Sequence, residues 1–390
     1  MIPRRAAPQR YQLSKRALAV VASGHPWIFR GLTSSALAAF ADGQWLALYD
    51  GGNQVVGHGV YAAEGAIAIR VVSRGPIRPR GRDFAARIDR ALAARARLRA
   101  ETDGFRAIAG ESDGLPAVVV DVLGPAVVAQ AYAAGFDALA RLAAARVARA
   151  VGAAGVVVRV PTRRFGAAAG PRVLAGVVPD VVAVREGPLT FAASPKAGQK
   201  TGAFLDLRGL RRWVRAAPLD GARVLNLFAY TGMIGRAAEH AGAALVTQVD
   251  RDGAALAFAA AHHVGESARH RFVTADVFGF LPEVVDPYDL VVVDPPSMTS
   301  RIEQVPGVLA TYRRLHAAAA ARVAPGGHLI VACCTSRVTR AQFRATASAA
   351  IGAGFAFVAE LPPEVDHPVG FPEADYLKVL VFRRRPSGDA

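Results

Sequence analysis

At 390 residues the chain is too long for one ordinary domain, and with 52% hydrophobic residues it can bury sizeable cores, so two or three domains are expected. Its 47 Lys and Arg against 31 Asp and Glu leave a net charge of +16. Two adjacent cysteines exclude a disulfide framework, and no uninterrupted apolar run reaches the ~18–20 residues of a membrane span. Arg4, Arg5 and Arg10 are not followed by the apolar core of a signal peptide. A reduced, cytoplasmic protein with no membrane partner is therefore expected. The charge is uneven: residues 1–110 hold 17 basic and 7 acidic side chains, or +10 of the +16. Lysine occurs only four times, a preference that codon bias explains, but codon bias does not explain an excess of base over acid. A localised positive excess points to a polyanion, nucleic acid above all.

In chain order, Trp45–Tyr49 reads as a strand, Asp50–Asn53 as a turn, and Gln54–Tyr61 as the returning strand of a hairpin. Ile67–Val72 is a third strand, and Gly75–Gly81 is a Pro/Arg/Gly linker that closes a small β-rich domain over residues 1–76. A helix is predicted from Asp83 to Ala100, with Phe84, Ile88 and Leu92 spaced by four and Arg95 lending its stem to that face. Strands at Ala117–Val122 and Val127–Tyr132, a helix at Ala138–Val151 and a strand at Gly155–Val160 make a small α+β domain over residues 82–185. From residue 186 to 390 strands and helices alternate. Strands are predicted at 223–228, 245–249, 271–274, 289–293, 328–333 and 376–383, which gives an α/β fold with a Rossmann-like, doubly wound sheet.

Ligands of such sheets bind at the carboxyl ends of the strands, so the residues there matter most. The first strand runs into Asn226–Gly235, where Gly232 and Gly235 let a ligand approach the backbone at a helix N-terminus. The turn lacks the Gly-x-Gly-x-x-Gly of nicotinamide sites. Asp250 ends the second strand, eighteen residues after Gly232, where a carboxylate can accept both ribose hydroxyls; a simple helix cap is the bland alternative. Asp276, after the third strand, can accept from an adenine amino group or cap the next helix. Asp294-Pro295-Pro296 follows an all-apolar strand, and the two prolines remove two amide donors and stiffen a corner from which a carboxylate faces a flat base. Cys333 and Cys334 end a further strand: a thiolate there can attack carbon 6 of a pyrimidine, although a free cysteine is by default a small buried hydrophobe. No Cys/His spacing suggests a metal, and His262 and His263 read as surface or core residues of a helix.

Seven segments, in order, resemble a known family. They are Gly24–Phe29, Gly110–Pro116, Gly198–Arg208, Asn226–Gly232, the Asp294 corner, Asp366–Val369 and Tyr376–Lys378. With them the chain resembles, over nearly its whole length, S-adenosylmethionine-dependent RNA methyltransferases, in particular the large-subunit (23S) ribosomal RNA 5-methylcytosine methyltransferase I family. The resemblance implies a PUA-like RNA-binding domain, a central α+β domain and a methyltransferase domain, with ribosomal RNA as partner and a homodimer as assembly. It implies a methyl-donor site at Lys200, Thr201, Asn226, Phe228, Tyr230, Thr231, Gly232, Asp250, Asp276 and Asp294. It further implies Cys334, and not Cys333, as nucleophile beside Asp294. The chain departs from the family at Ser297, where Lys is usual, and at Cys333-Cys334-Thr335 in place of Ser-Cys-Ser. A ribosomal guanine-N7 methyltransferase and a non-catalytic RNA-binding assembly factor are the alternatives; a DNA amino-methyltransferase ranks below both, because its motif carries an aromatic where Ser297 stands.

Overall fold

The computed structural model describes residues 7–34, 37, 39–159, 170–264, 267–299 and 301–386. Arg4, Arg5 and Val160 lie outside them. The chain forms two compact units, the first made of Met1–Gly187, Ala193–Leu205 and Val365–Phe371, the second of Pro188–Ala192, Asp206–Glu364 and Pro372–Ala390.

The first unit holds two five-stranded sheets. Strands β1 (Gln9–Gln12), β2 (Trp27–Phe29), β3 (Trp45–Tyr49), β4 (Val55–Tyr61) and β5 (Ile67–Arg74) pair in the order β1-β3-β4-β5-β2, and helix α1 (Lys15–Ala22) packs with them. The 45–61 hairpin and the third strand stand where the sequence puts them; β1, α1 and β2 carry too little periodicity to be read beforehand. The second sheet is β6 (Gly104–Ala109), β7 (Val118–Leu123), β8 (Ala126–Ala131), β9 (Gly155–Arg159) and β10 (Arg172–Gly176), in the order β10-β9-β8-β7-β6. Helices α2 (Gly81–Ala94), α3 (Leu98–Glu101) and α4 (Asp137–Val151) accompany it. Val60, Ala62 and Val72 of the first sheet share one buried cluster with Phe84, Ile88, Val120 and Val147, so the two sheets have a common core. The single helix expected over 83–100 is broken after Ala94. Arg95 causes the break: its guanidinium turns inward and forks onto Asp113 at 2.9 and 2.8 Å, leaving the side chain almost wholly buried.

The second unit is the α/β sheet. The chain passes through β11 (Val182–Glu186), β12 (Leu189–Ala193) and α5 (Arg208–Ala216) before it begins. Then follow β13 (Arg223–Leu227), α6 (Met233–His240), β14 (Leu245–Asp250), α7 (Gly253–Ala259), β15 (His270–Thr274), α8 (Val277–Glu283), β16 (Tyr288–Val293), α9 (Val305–Ala320), β17 (Val323–Cys334), α10 (Arg340–Ile351), β18 (Phe355–Leu361) and β19 (Leu377–Arg384). The order is β15-β14-β13-β16-β17-β19-β18, with the first five strands parallel and β19 antiparallel to both neighbours. β13 and β16 lie side by side at the point where the strand order reverses, which sets the carboxyl ends of both at the switch point of the sheet. Val224, Leu225, Leu227 and Leu290–Val293 are completely buried, as expected of parallel strands covered on both faces. Six strands were expected and seven are present. The seventh, β18, lies at the sheet edge, where Phe357 and Val358 remain 38% and 47% exposed and no buried face marks the sequence.

Candidate functional site

After Leu227 the backbone leaves the sheet through a turn that ordinary residues avoid. Phe228 (φ +60°), Tyr230 (φ +48°) and Gly232 (φ +72°) all adopt left-handed geometry, which for non-glycine residues costs about 1–3 kcal/mol each. Gly232 is the N-cap of α6, and a Cβ on it would come within 2.7 Å of the Gln248 side chain. The turn is held from β14: the Ala229 N–H donates to the Val249 carbonyl at 3.0 Å, and the Tyr230 N–H donates to Asp250 Oδ2 at 2.8 Å. Asp250 Oδ1 accepts from the Asp252 N–H at 2.8 Å. The cap of α7 is Asp252, which accepts from Ala254 and Ala255 at 3.1 Å each. Asp250 is thus no helix cap: it is a half-buried carboxylate at a strand end that fastens the turn.

Other candidates are placed differently. Asn226 is fully buried, with Nδ2 donating to Gln248 Oε1 at 3.3 Å, and so belongs to a polar layer that continues from Gln248 to His270 at 2.9 Å. Asp276 is exposed and caps α8, with Oδ1 accepting from Phe278 at 3.0 Å and Gly279 at 3.2 Å.

Asp294 and Cys334 come together. Val293 of β16 pairs with Leu227 of β13 on one side and Val331 of β17 on the other. The next residue on β16 and the last on β17 therefore emerge at the same edge, and the Cys334 thiol donates to Asp294 Oδ1 at 3.5 Å. Two loops are tied around this pair. Thr335 Oγ1 donates to the Thr299 carbonyl at 3.1 Å, and the buried Lys378 ammonium donates to the carbonyls of Thr335 (2.7 Å) and Asp375 (2.8 Å). Ser297 donates to the Thr299 carbonyl at 3.3 Å, inside the same loop. Cys333 points the other way, as alternation along a strand requires, into the core with Tyr312 and Phe343. It has no exposed surface, and burial pushes its thiol pKa upward, so it stays protonated.

An S-adenosylmethionine-dependent methyltransferase family model matches residues 124–383, and a PUA-like domain model matches residues 12–74. The first covers about two thirds of the chain. The chain belongs to the S-adenosylmethionine-dependent methyltransferases. A "Ribosomal RNA large subunit methyltransferase" of Deinococcus radiodurans is 34% identical over 98% of this chain and 99% of its own length. A "Ribosomal RNA large subunit methyltransferase I" of Shewanella amazonensis is 31% identical over 92% of this chain and 95% of its own. A solved SAM-dependent methyltransferase structure from Streptococcus mutans shares the fold with a TM-score of 0.82 at 20% identity, over 96% of this chain and 100% of that one. A further solved chain, a methyltransferase complexed with SAH, gives 0.83 at 20% identity over the same shares.

The methyltransferase keeps its remaining sequence motifs in the first unit. Lys200 is exposed, has φ +52° and holds its ammonium 4.1 Å from the centre of the Phe204 ring. Thr201 is fully buried, and its hydroxyl donates to Asp121, which also takes the forked Arg106 guanidinium at 2.9 and 3.0 Å. Gly24–Phe29 and Gly110–Pro116 meet where Trp27 Nε1 donates to Glu111 Oε1 at 2.8 Å and Arg70 pairs with the same carboxylate. Asp366 accepts from the Arg106 N–H at 2.9 Å and pairs with His367 at 3.0 Å. Sequence reading missed Asp121 and Arg106, and it named Lys378 only as part of a motif, without a role. A lone aspartate inside Val118-Val119-Val120-Asp121-Val122 was the available signal, since a buried carboxylate needs a partner.

Proposed function

We propose that this methyltransferase methylates carbon 5 of a cytosine in large-subunit (23S) ribosomal RNA through a covalent bond to Cys334. The observation that carries the reading is the approach of the Cys334 thiol to Asp294, with Cys333 turned into the core. The names and 31–34% identity of the relatives support ribosomal RNA as substrate. Asp250 and the left-handed turn over Phe228–Gly232 fit an adenosyl donor: the carboxylate is half-buried, already anchors the turn, and lies at the end of the strand beside it. Asp276 stands at the end of the following strand and is assigned to the adenine edge. Residues 1–76, rich in arginine, are assigned to RNA binding, residues 82–185 to a central domain and residues 186–390 to methyl transfer.

In this mechanism Asp294 takes the thiol proton, and the Cys334 thiolate adds to carbon 6 of the cytosine. Asp294, now protonated, donates to the pyrimidine edge and stabilises the electron density moved into the ring. Carbon 5 becomes nucleophilic. The donor, when bound, would supply a sulfonium-activated methyl group to carbon 5, its sulfur leaving as a neutral thioether. A base then removes the carbon-5 proton, the ring electrons expel the thiolate, and 5-methylcytosine is released. Fluorine at carbon 5 blocks the proton-removal step. Ribosomal RNA carrying 5-fluorocytosine should therefore trap a denaturation-resistant protein–RNA adduct with wild type and with Cys333→Ser, and none with Cys334→Ser. Methylation of RNA by Cys334→Ser at the wild-type rate would exclude the covalent route. The homodimer implied by the family resemblance is checked separately by light scattering.

A further inference from the structure

His263 sits in a feature that the donor-site reading does not use. After α7 the helix widens into a π-helical turn over Ala260–Val264, a form that is rare and frequent at functional sites. His263 lies four residues after Ala259 and seven after Leu256, on the buried stripe of that helix, and is only 6% exposed. The edges of Phe191 and Phe258 pack against its ring, each with centroids 5.8 Å apart. Nδ1 lies 2.5 Å from the Thr231 carbonyl oxygen, and Nε2 lies 2.8 Å from the Ala192 backbone nitrogen and 3.1 Å from the Ala192 carbonyl oxygen. Thr231 immediately precedes Gly232, the N-cap of α6.

A neutral imidazole has one donor and one acceptor nitrogen. A carbonyl oxygen can only accept, so the Thr231 oxygen requires the proton on Nδ1; in the neutral ring Nε2 is then bare and accepts from the nearer Ala192 N–H, whereas only a charged ring would also donate to the Ala192 carbonyl. The opposite tautomer would set a lone pair against the Thr231 oxygen at 2.5 Å. Burial lowers its pKa; the backbone contacts with Thr231 and Ala192 oppose this, His262 and Arg236 add to it, and the net shift is downward, toward the neutral ring. The turn is thus gripped at two points: Asp250 accepts the Tyr230 N–H, and His263 donates to the Thr231 carbonyl. Gly232 also leaves room for α7, since a Cβ there would come within 3.0 Å of Ala259 Cβ.

We infer that His263 is a positioning residue for methyl-donor binding, holding the left-handed turn through its Nδ1–H tautomer. This rests on the reading that Asp250 and the turn bind S-adenosylmethionine. The test uses the full chain, with S-adenosylmethionine affinity measured by calorimetry on His263→Ala, His263→Asn, His263→Gln and Asp250→Ala. An Asn amide can replace the Nδ1 donor, whereas a Gln amide reaches instead toward the Nε2 position. His263→Ala and His263→Gln should bind the donor about tenfold more weakly, as loss of one oriented hydrogen bond predicts. His263→Asn should stay within about threefold of wild type. In steady-state assays the donor KM should rise with kcat at saturating donor nearly unchanged, because His263 is not assigned any contact with the reacting atoms. Weak binding by Asp250→Ala with wild-type binding by His263→Ala would overturn the role of His263 alone. Wild-type binding by Asp250→Ala would instead remove the donor-site reading. If His263→Ala does not fold, nitrogen NMR of the histidine-labelled wild type decides: a proton on Nε2 rather than Nδ1 overturns the inference.

Discussion

The central sheet of the first unit and the carboxyl edge of the seven-stranded sheet treat their charges in opposite ways. In the former, Arg95 pairs with Asp113 and Arg106 with Asp121, each as a two-pronged fork between groups that are largely withdrawn from water. In the latter, Asp250 is half-buried and accepts from the backbone N–H groups of Tyr230 and Asp252, and the half-buried Asp294 accepts from the Cys334 thiol. A buried fork pins both partners and fixes geometry; breaking it strands a charge. A half-buried carboxylate held by backbone N–H groups, as Asp250 is, keeps part of its surface for a ligand. Aspartates in both regions follow or interrupt Val-rich strands, so it is the partner, not the residue type or its flanks, that separates scaffold from site.

The sharpest break of the contrast is at the thiols. Cys334→Ser keeps shape but replaces a readily ionised thiol by a hydroxyl, and methyl transfer to ribosomal RNA should fall by at least about a thousandfold, with donor binding intact. Cys333→Ser should retain most activity; equal losses in the two variants would erase the distinction between the faces of β17.

Next in size is the fork. Asp121→Ala leaves the Arg106 guanidinium without its carboxylate, and denaturant unfolding should show a loss of about 3–5 kcal/mol. A loss below about 1 kcal/mol would place this pair with surface ion pairs instead.

The second unit should show its own sensitivity to acid through His316, which is fully buried beside Tyr312 and Phe343. Burial pushes its pKa down to about 3. The unfolded chain, with an ordinary histidine near 6.5, therefore binds a proton that the folded chain refuses. Stability is fully present above pH ~6.5 and declines as pH falls toward 3, by about 2 kcal/mol at pH 5. His316→Phe should remove that part of the slope; an unchanged profile of unfolding against pH would reject the assignment.

The smallest effect is expected at Asp250. Asp250→Ala should weaken S-adenosylmethionine binding roughly ten- to hundredfold, as loss of about 1–3 kcal/mol of charge-assisted bonding implies. Part of that loss would come from freeing the Tyr230 N–H, so Asp250→Asn, which keeps an acceptor for it, should lose less.

By itself the sequence determined the class of the second unit and the addresses of its strand ends. Long Val-rich runs read as a sheet covered on both faces, and the positions of Asp250, Asp294 and the Cys333–Cys334 pair follow by counting from them. It also announced the Phe228–Gly232 turn through its glycine, though not the left-handed geometry of Phe228 and Tyr230. What it could not give were contacts between residues far apart in the chain. The residues alone left open which cysteine faces Asp294; the family resemblance pointed to Cys334, and the parity of β17 relative to β16 sets that thiol beside Asp294. Whether Asp250 or Asp252 caps α7 turns on one backbone step, and the burial of Thr201 depends on an aspartate eighty residues earlier. The inward swing of Arg95, which ends α2, has its cause in Asp113. Each of these is a long-range pairing that local propensity does not encode, because the free energy that decides it comes from a partner supplied only when the chain has folded.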